Sequence, residues 1–355
     1  MDDSAEDAGE STEQERMSTT LGQGMSAEEA LEGPPGSGAL AEVLSDVRSL
    51  RLSMPATSAN LGPGYDCMGL ALSLHDVIDV VAAPRRDPSQ PQISVRIDGE
   101  GSSRLPRDAS HLVVSLVSRI LARHGFRLPD LEVSAQNRIP HSRGLGSSAA
   151  AVASAVVLAD ALLPAGLSAE EQLQIGSRIE GHPDNYAPAL RGGVAISWQE
   201  GDVFCTAPLA PHERLRTVLA IPDFEQSTAE ARDVLPDEVP HADAAANSAR
   251  TGLLVHAMTT APELLLPATG DRLHQEHRRS AFEPSMVLVD SLRAAGHAAV
   301  ISGAGPAVLV LADGDVSAQE AHAHISHHAE SAGDTWCPSI LRISASGATV
   351  EEHQR

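Results

Sequence analysis

The chain contains no lysine: all 25 of its basic residues are arginine. That absence rules out a Gly-x-x-x-x-Gly-Lys-Ser/Thr phosphate loop, a lysine Schiff-base enzyme and a protein kinase built around a strand lysine. Any nucleotide site must therefore work with backbone N–H groups, hydroxyls, a metal ion and arginine. Aromatic residues are only 2% of the 355, so the core must be mostly Ala, Val, Leu and Ile. Three cysteines, Cys67, Cys205 and Cys337, are odd in number and widely spaced, which gives neither a disulfide framework nor a zinc pattern. No basic segment followed by an apolar run opens the chain, and no run of about 18 apolar residues occurs. Neither a signal peptide nor a membrane span is expected, and the expected location is cytoplasmic. A net charge of −23 argues against a nucleic-acid or anionic-membrane partner, since both need basic stripes.

The length leaves room for two modest domains or one large one. Residues 1–46 carry twelve Asp or Glu against one Arg, with little hydrophobic periodicity, and are expected to form a disordered acidic extension. A first folded region is expected over 47–212, with strands at 77–81, 93–97, 131–135 and 193–198, helices at 110–124 and 169–180, and a long Ala-rich helix through 151–163 with Ser147 and Ser148 at its cap. A second is expected over 213–350, with strands at 215–221, 298–302 and 308–311 and helices at 284–295 and 317–331. The last helix carries His322, His324, His327 and His328, which read as exposed surface histidines rather than metal ligands. This order of elements suggests two α+β layers rather than a doubly wound parallel sheet.

The richest local signal is Pro140-His-Ser-Arg-Gly-Leu-Gly-Ser-Ser-Ala-Ala150. Pro140, His141, Ser142 and Arg143 lead in, Gly144, Leu145 and Gly146 make the turn, and Ser147, Ser148, Ala149 and Ala150 open a helix. The two glycines let the backbone approach a ligand closely, while first-turn N–H groups and the helix dipole face the same anion. The segment reads as a polyphosphate cradle; taken alone, an ordinary capped helix explains it as well.

Three motifs follow one another: Pro55-Ala-Thr-Ser-Ala-Asn-Leu-Gly-Pro-Gly-Tyr-Asp66, the 140–150 loop, and Ser302-Gly-Ala-Gly-Pro306. Together they resemble the GHMP small-molecule kinase superfamily. With Glu180-Gly-His-Pro-Asp-Asn185 added, the chain from about residue 50 to 350 resembles the homoserine kinases of that superfamily. The resemblance implies an α+β, two-domain fold: an N-terminal domain like that of a ribosomal protein and an elongation-factor domain, and a ferredoxin-like C-terminal domain. It also implies small-molecule substrates, ATP and L-homoserine, with Mg2+ as cofactor and transfer of the γ-phosphate to the homoserine hydroxyl in threonine synthesis.

The resemblance assigns residues 140–150 to ATP, and Ser148 with Glu180 to the metal. Asp66 would take the substrate ammonium, and Thr228, Arg232 and Arg278 belong to its binding site, paired arginines suiting a planar carboxylate. Asn60 and Asn185 would hydrogen-bond the reacting hydroxyl, with His182 lining the same loop. Where several relatives have an Asp base this chain has Asn185, which implies attack assisted by orientation; Asp184 is the neighbouring candidate base. Ser302, Gly303 and Gly305 would close over the site, although a plain hairpin turn also explains those glycines. Oligomeric state is left open, a homodimer being one option. The competing readings are a kinase of the same superfamily acting on mevalonate-type alcohols, a sugar or shikimate, and a catalytically silent nucleotide-binding regulator.

Overall fold

A computed structural model describes residues 40–225, 234–332 and 335–353. Thr228 and Arg232, and the acidic extension up to residue 39, lie outside the described residues. Where disorder was expected through residue 46, Ala41–Glu42 (β1) pairs in parallel with Phe126–Arg127 (β5), and Val43 is buried. The few apolar residues at the end of the acidic stretch therefore reach the core.

The first layer is a seven-stranded sheet built around two long strands. Arg48–Asn60 (β2) runs antiparallel to Gly64–Ala83 (β3), with register shifts at Pro55/Ala56 and Ala59/Asn60. Proline cannot donate to a ladder, so Pro55 falls at one of these irregularities. The far half of β3 pairs with Asp130–Asn137 (β6), which lies parallel to Ile93–Gly99 (β4). The near half pairs with Val194–Glu200 (β7), which pairs with Val203–Leu209 (β8). A parallel β4–β6 pair needs a crossover. Leu112–Arg123 (α1) supplies it, burying Val113, Val114, Leu116, Val117, Ile120 and Leu121 on one face.

Ser147–Leu162 (α2) is buried nearly all round, as its Ala-rich composition permits. Ala169–Glu180 (α3) starts at a capping box in which Ser168 and Glu171 satisfy each other's backbone N–H groups, and stops at left-handed Gly181. Pro183–Arg191 (α4) follows at once, with Pro183 in its first turn.

The second layer is an antiparallel sheet of Leu215–Pro222 (β9), Ala298–Ile301 (β10), Val308–Asp313 (β11) and Trp336–Leu341 (β12), in spatial order β10-β11-β9-β12. Helices Glu283–Ala294 (α7) and Gly314–Ala332 (α8) complete a βαββαβ unit, the ferredoxin-like arrangement the resemblance implied. Leu288, Val289 and Leu292 of α7 and Ala318, Ala321 and Ile325 of α8 pack beneath it. His241–Thr259 (α5) and the short Leu265–Ala268 (α6) bridge towards the first layer. Beyond β12 the chain leaves this sheet, and Thr349–Glu352 (β13) adds an edge strand to β2 of the first.

Candidate active site

The three motifs, more than 240 residues apart in sequence at the extremes, meet at the N-terminus of α2. Ser302 Oγ donates to Gly144 O (2.7 Å) and lies 2.8 Å from Ser58 Oγ. Gly303 N donates to Ala59 O, Thr57 N to Leu145 O and Ala307 N to Arg143 O. The closeness is what demands glycine in the loop. A Cβ on Gly144 would sit 2.0 Å from Ser302 O, and one on Gly146 would sit 1.9 Å from Thr57 Oγ1; both have positive φ. Asp76, buried on β3, fixes the entry to the loop by accepting from Arg138 N (2.6 Å) and Ile139 N (2.9 Å). Burial pushes its carboxyl up to about 6 against those two hydrogen bonds.

Gly146 is the cap residue of α2, and no side chain caps the helix. Its first-turn N–H groups, at Ser147, Ser148 and Ala149, lack intrahelical partners and face an anion-favouring dipole. Ser148 Oγ donates to Glu180 Oε1 (2.7 Å), so the two candidate metal ligands are side by side. Glu180 is buried at the end of α3, which raises its carboxyl above the usual range in spite of the Ser148 hydrogen bond. One hydroxyl and one carboxylate are hard oxygen donors, a set that suits magnesium completed by substrate phosphates and water. Among the described residues no cluster of three or more His, Cys, Asp or Glu could hold a metal by itself.

Not every residue of the loop is open to a ligand. Arg143 donates from Nε to Pro222 O (3.0 Å) and from Nη2 to Asp223 O (2.7 Å), tying the loop to the end of β9. Pro140, His141 and Ser142 form the approach, with Ser142 at φ 53° and the His141 imidazole held below its usual pKa by burial. Ala149 and Ala150 are buried in the first turn.

On the substrate side, Asn60 has φ 69° and is buried; its Nδ2 donates to Gly303 O (2.8 Å) and its Oδ1 accepts from Asp66 N (2.9 Å). Asn60 thus joins the closing loop to the Asp66 turn. Asp184 Oδ1 accepts from Asn185 N (2.8 Å) and meets His182 Nδ1 at 2.8 Å, so this carboxylate both satisfies a first-turn N–H of α4 and orients the imidazole. Asn185 Oδ1 accepts from Thr57 Oγ1 (2.8 Å). Thr57 is fully buried and was not among the residues expected at the site. With the oxygen end occupied, the amide keeps its NH2 end as a donor.

Arg278 is buried to 2% exposure, its guanidinium 5.3 Å from the Tyr65 ring centroid and its Nη1 3.2 Å from His274 Nδ1. His274 also went unrecognised. Its ring stacks on Tyr65 (centroids 5.0 Å apart) and its Nε2 lies 2.9 Å from Gly62 O. A carbonyl only accepts, so Nε2 carries the proton and Nδ1 receives the guanidinium donor. Burial holds this histidine below its usual pKa, as that neutral form requires. Asp271 accepts from the N–H groups of Leu273, His274 and Gln275 and starts the turn that carries both residues.

Comparison with known proteins gives this arrangement a class. The model of the GHMP kinases N terminal domain matches residues 111–193, and that of the GHMP kinases C terminal matches residues 253–330. A homoserine kinase of Streptomyces avermitilis is 45% identical over 305 residues, covering 85% of this chain and 95% of that protein. One from Clavibacter michiganensis is 41% identical, covering 87% and 96%. The fold matches the crystal structure of homoserine kinase from Cytophaga hutchinsonii with a TM-score of 0.74 at 24% identity, over 85% of this chain and 97% of that one. Mevalonate diphosphate decarboxylase from Staphylococcus aureus shares the fold at a TM-score of 0.63 and 14% identity, over 87% and 100%. Fold and loop together define a GHMP kinase. Within that class, the chain belongs to the homoserine kinase family.

Proposed function

We propose that the protein transfers the γ-phosphoryl group of ATP to the side-chain hydroxyl of L-homoserine, giving O-phospho-L-homoserine and ADP, in the cytoplasm as a step of threonine biosynthesis. The observation that carries this reading is the meeting of the three motifs at the uncapped N-terminus of α2, in a chain 45% identical to a homoserine kinase. Phosphoryl transfer asks mainly for positioning and charge neutralisation. The N–H groups from Gly144 to Ala149 and the α2 dipole would cradle the phosphates. Ser148 and Glu180 would hold magnesium, which neutralises phosphate charge when bound.

Asp66 would receive the substrate ammonium, and Arg278 and Arg232 its carboxylate. The Arg278 fork is pre-oriented by neutral His274 and the Tyr65 ring, so little ordering entropy remains to be lost on binding. Asn185 would donate from Nδ2 to the attacking hydroxyl and hold it in line. An amide cannot accept a proton as a base would. The Asp184 carboxylate is already engaged by His182 and Asn185 N, which supports orientation-assisted attack with the hydroxyl proton passing to the phosphoryl oxygens. The test is product identity: 31P spectroscopy of a reaction containing ATP, magnesium and L-homoserine is expected to show a new phosphomonoester matching O-phospho-L-homoserine. ATP binding with no such product would leave the silent regulatory reading in its place.

A further inference from the structure

Away from the α2 loop, Arg250 of α5 and Arg293 of α7 line an open surface cavity of roughly 370 Å3 together with Leu266, Pro267 and Gly270. We infer that this cavity is a binding site for a small tetrahedral oxyanion, a phosphate or the phosphate of an ester. The inference is independent of the reaction proposed above.

Two cations face one cavity and neither has an acidic partner within ion-pair distance among the described residues. Arg293 donates to Thr269 Oγ1 (2.9 Å), Ala299 O (3.0 Å) and Leu266 O (3.0 Å), all uncharged. Arg250 donates to Pro267 O. The carboxylate whose charge acts on Arg293, Asp290, pairs with Arg279 at 3.0 Å. A guanidinium has five N–H donors, so these bonds leave donors on both arginines for a ligand. In a protein of net charge −23 a pair of unneutralised arginines is a local reversal of sign. Burial and then the neighbouring Arg250 charge weaken the hold of Arg293 on its proton, and a bound anion would offset the repulsion between the two arginines.

The walls leave room for such a ligand. Leu266 and Pro267 supply no competing charge, and Gly270 brings no side chain into the space beside Arg250 Nε. Two guanidinium forks match the several acceptor oxygens of a phosphate better than point charges would. The same turn faces the substrate side on its other surface: Thr269 O would lie 2.7 Å from a Cβ on Gly62. An anion bound between Arg250 and Arg293 therefore braces the turn from behind.

The experiment is calorimetric titration of the full chain with inorganic phosphate, and separately with glycerol 3-phosphate. A non-hydrolysable ATP analogue and magnesium are present at saturation to occupy the α2 loop. One site with a dissociation constant on the order of 1 mM is expected. Arg250→Gln, an exposed position whose loss spares the three Arg293 hydrogen bonds, is expected to weaken it at least about tenfold. Tighter binding of the ester than of phosphate would identify an ester as the ligand, and equal binding the free ion. No binding of either, or equal binding by Arg250→Gln at undiminished thermal stability, overturns the inference.

Discussion

Replacing Thr57 by valine removes one hydroxyl while keeping the branched shape, at a position that is fully buried and 2.8 Å from Asn185 Oδ1. The stability cost is small. A neutral hydrogen bond contributes about 1 kcal/mol net, and Asn185 is only half-buried, so water can satisfy part of what is lost. The catalytic cost is larger if Asn185 must present its NH2 end, because an unanchored amide can flip or swing. Losing that orientation is expected to lower kcat by about 10- to 100-fold, or roughly 1.4–2.7 kcal/mol of barrier. Steady-state kinetics with both substrates varied would show kcat falling with little change in KM for ATP, while thermal denaturation shows a shift of only a few degrees. Thr57→Ser, which keeps the donor, should recover most of the rate. A Thr57→Val enzyme within about twofold of the parent kcat, or a Thr57→Ser enzyme as slow as Thr57→Val, would refute this account of Asn185.

Arg278→Met should raise KM for L-homoserine about 10- to 100-fold and leave KM for ATP unchanged, since a charge-assisted contact is worth about 1.5–3 kcal/mol; equal effects on both substrates would place Arg278 elsewhere in the reaction. Glu180→Gln keeps an acceptor for Ser148 and removes a buried carboxylate, so thermal stability should hold or rise while the magnesium dependence of turnover is lost. Stability should fall as pH drops below about 6.5, because His274 is held neutral in the fold and its unfolded counterpart binds a proton there. The raised carboxyl of Asp76 works in the opposite direction. The slope of stability against pH should therefore be compared between the parent chain and His274→Gln, and it should flatten in the variant by up to about 1.4 kcal/mol per pH unit.

What the sequence could reveal was what is local. The Gly/Ser turn opening an Ala-rich helix needs no distant partner to be recognised, and α3 was recognisable from its apolar spacing and Ser168 start. The first half of β3 was hidden by Gly64 and Gly69, which weaken a strand signal, and α4 by Pro183 and Pro188. β13 is short and mostly exposed, so nothing in its residues says that it returns to the first sheet. The same limit explains the site. Thr57 matters through a residue 128 positions away, and His274 through a carbonyl 212 positions away. Arg143 stood inside the loop motif and was expected against ATP, yet the carbonyls that engage it, on Pro222 and Asp223, lie about 80 residues downstream. The resemblance implied that the Ser302 turn closes over the site, and the fold has Ser302 bridging Gly144 and Ser58.

The most direct test of the central claim is a coupled assay of ADP release with ATP and magnesium, comparing L-homoserine with L-serine, L-threonine, mevalonate and no added acceptor. The account predicts turnover that is strong on L-homoserine and weak on the others, with that preference collapsing in Arg278→Met. Preferential turnover of mevalonate or another alcohol without an ammonium group would contradict it, keeping the GHMP kinase fold while removing the reasons given for Asp66 and Arg278.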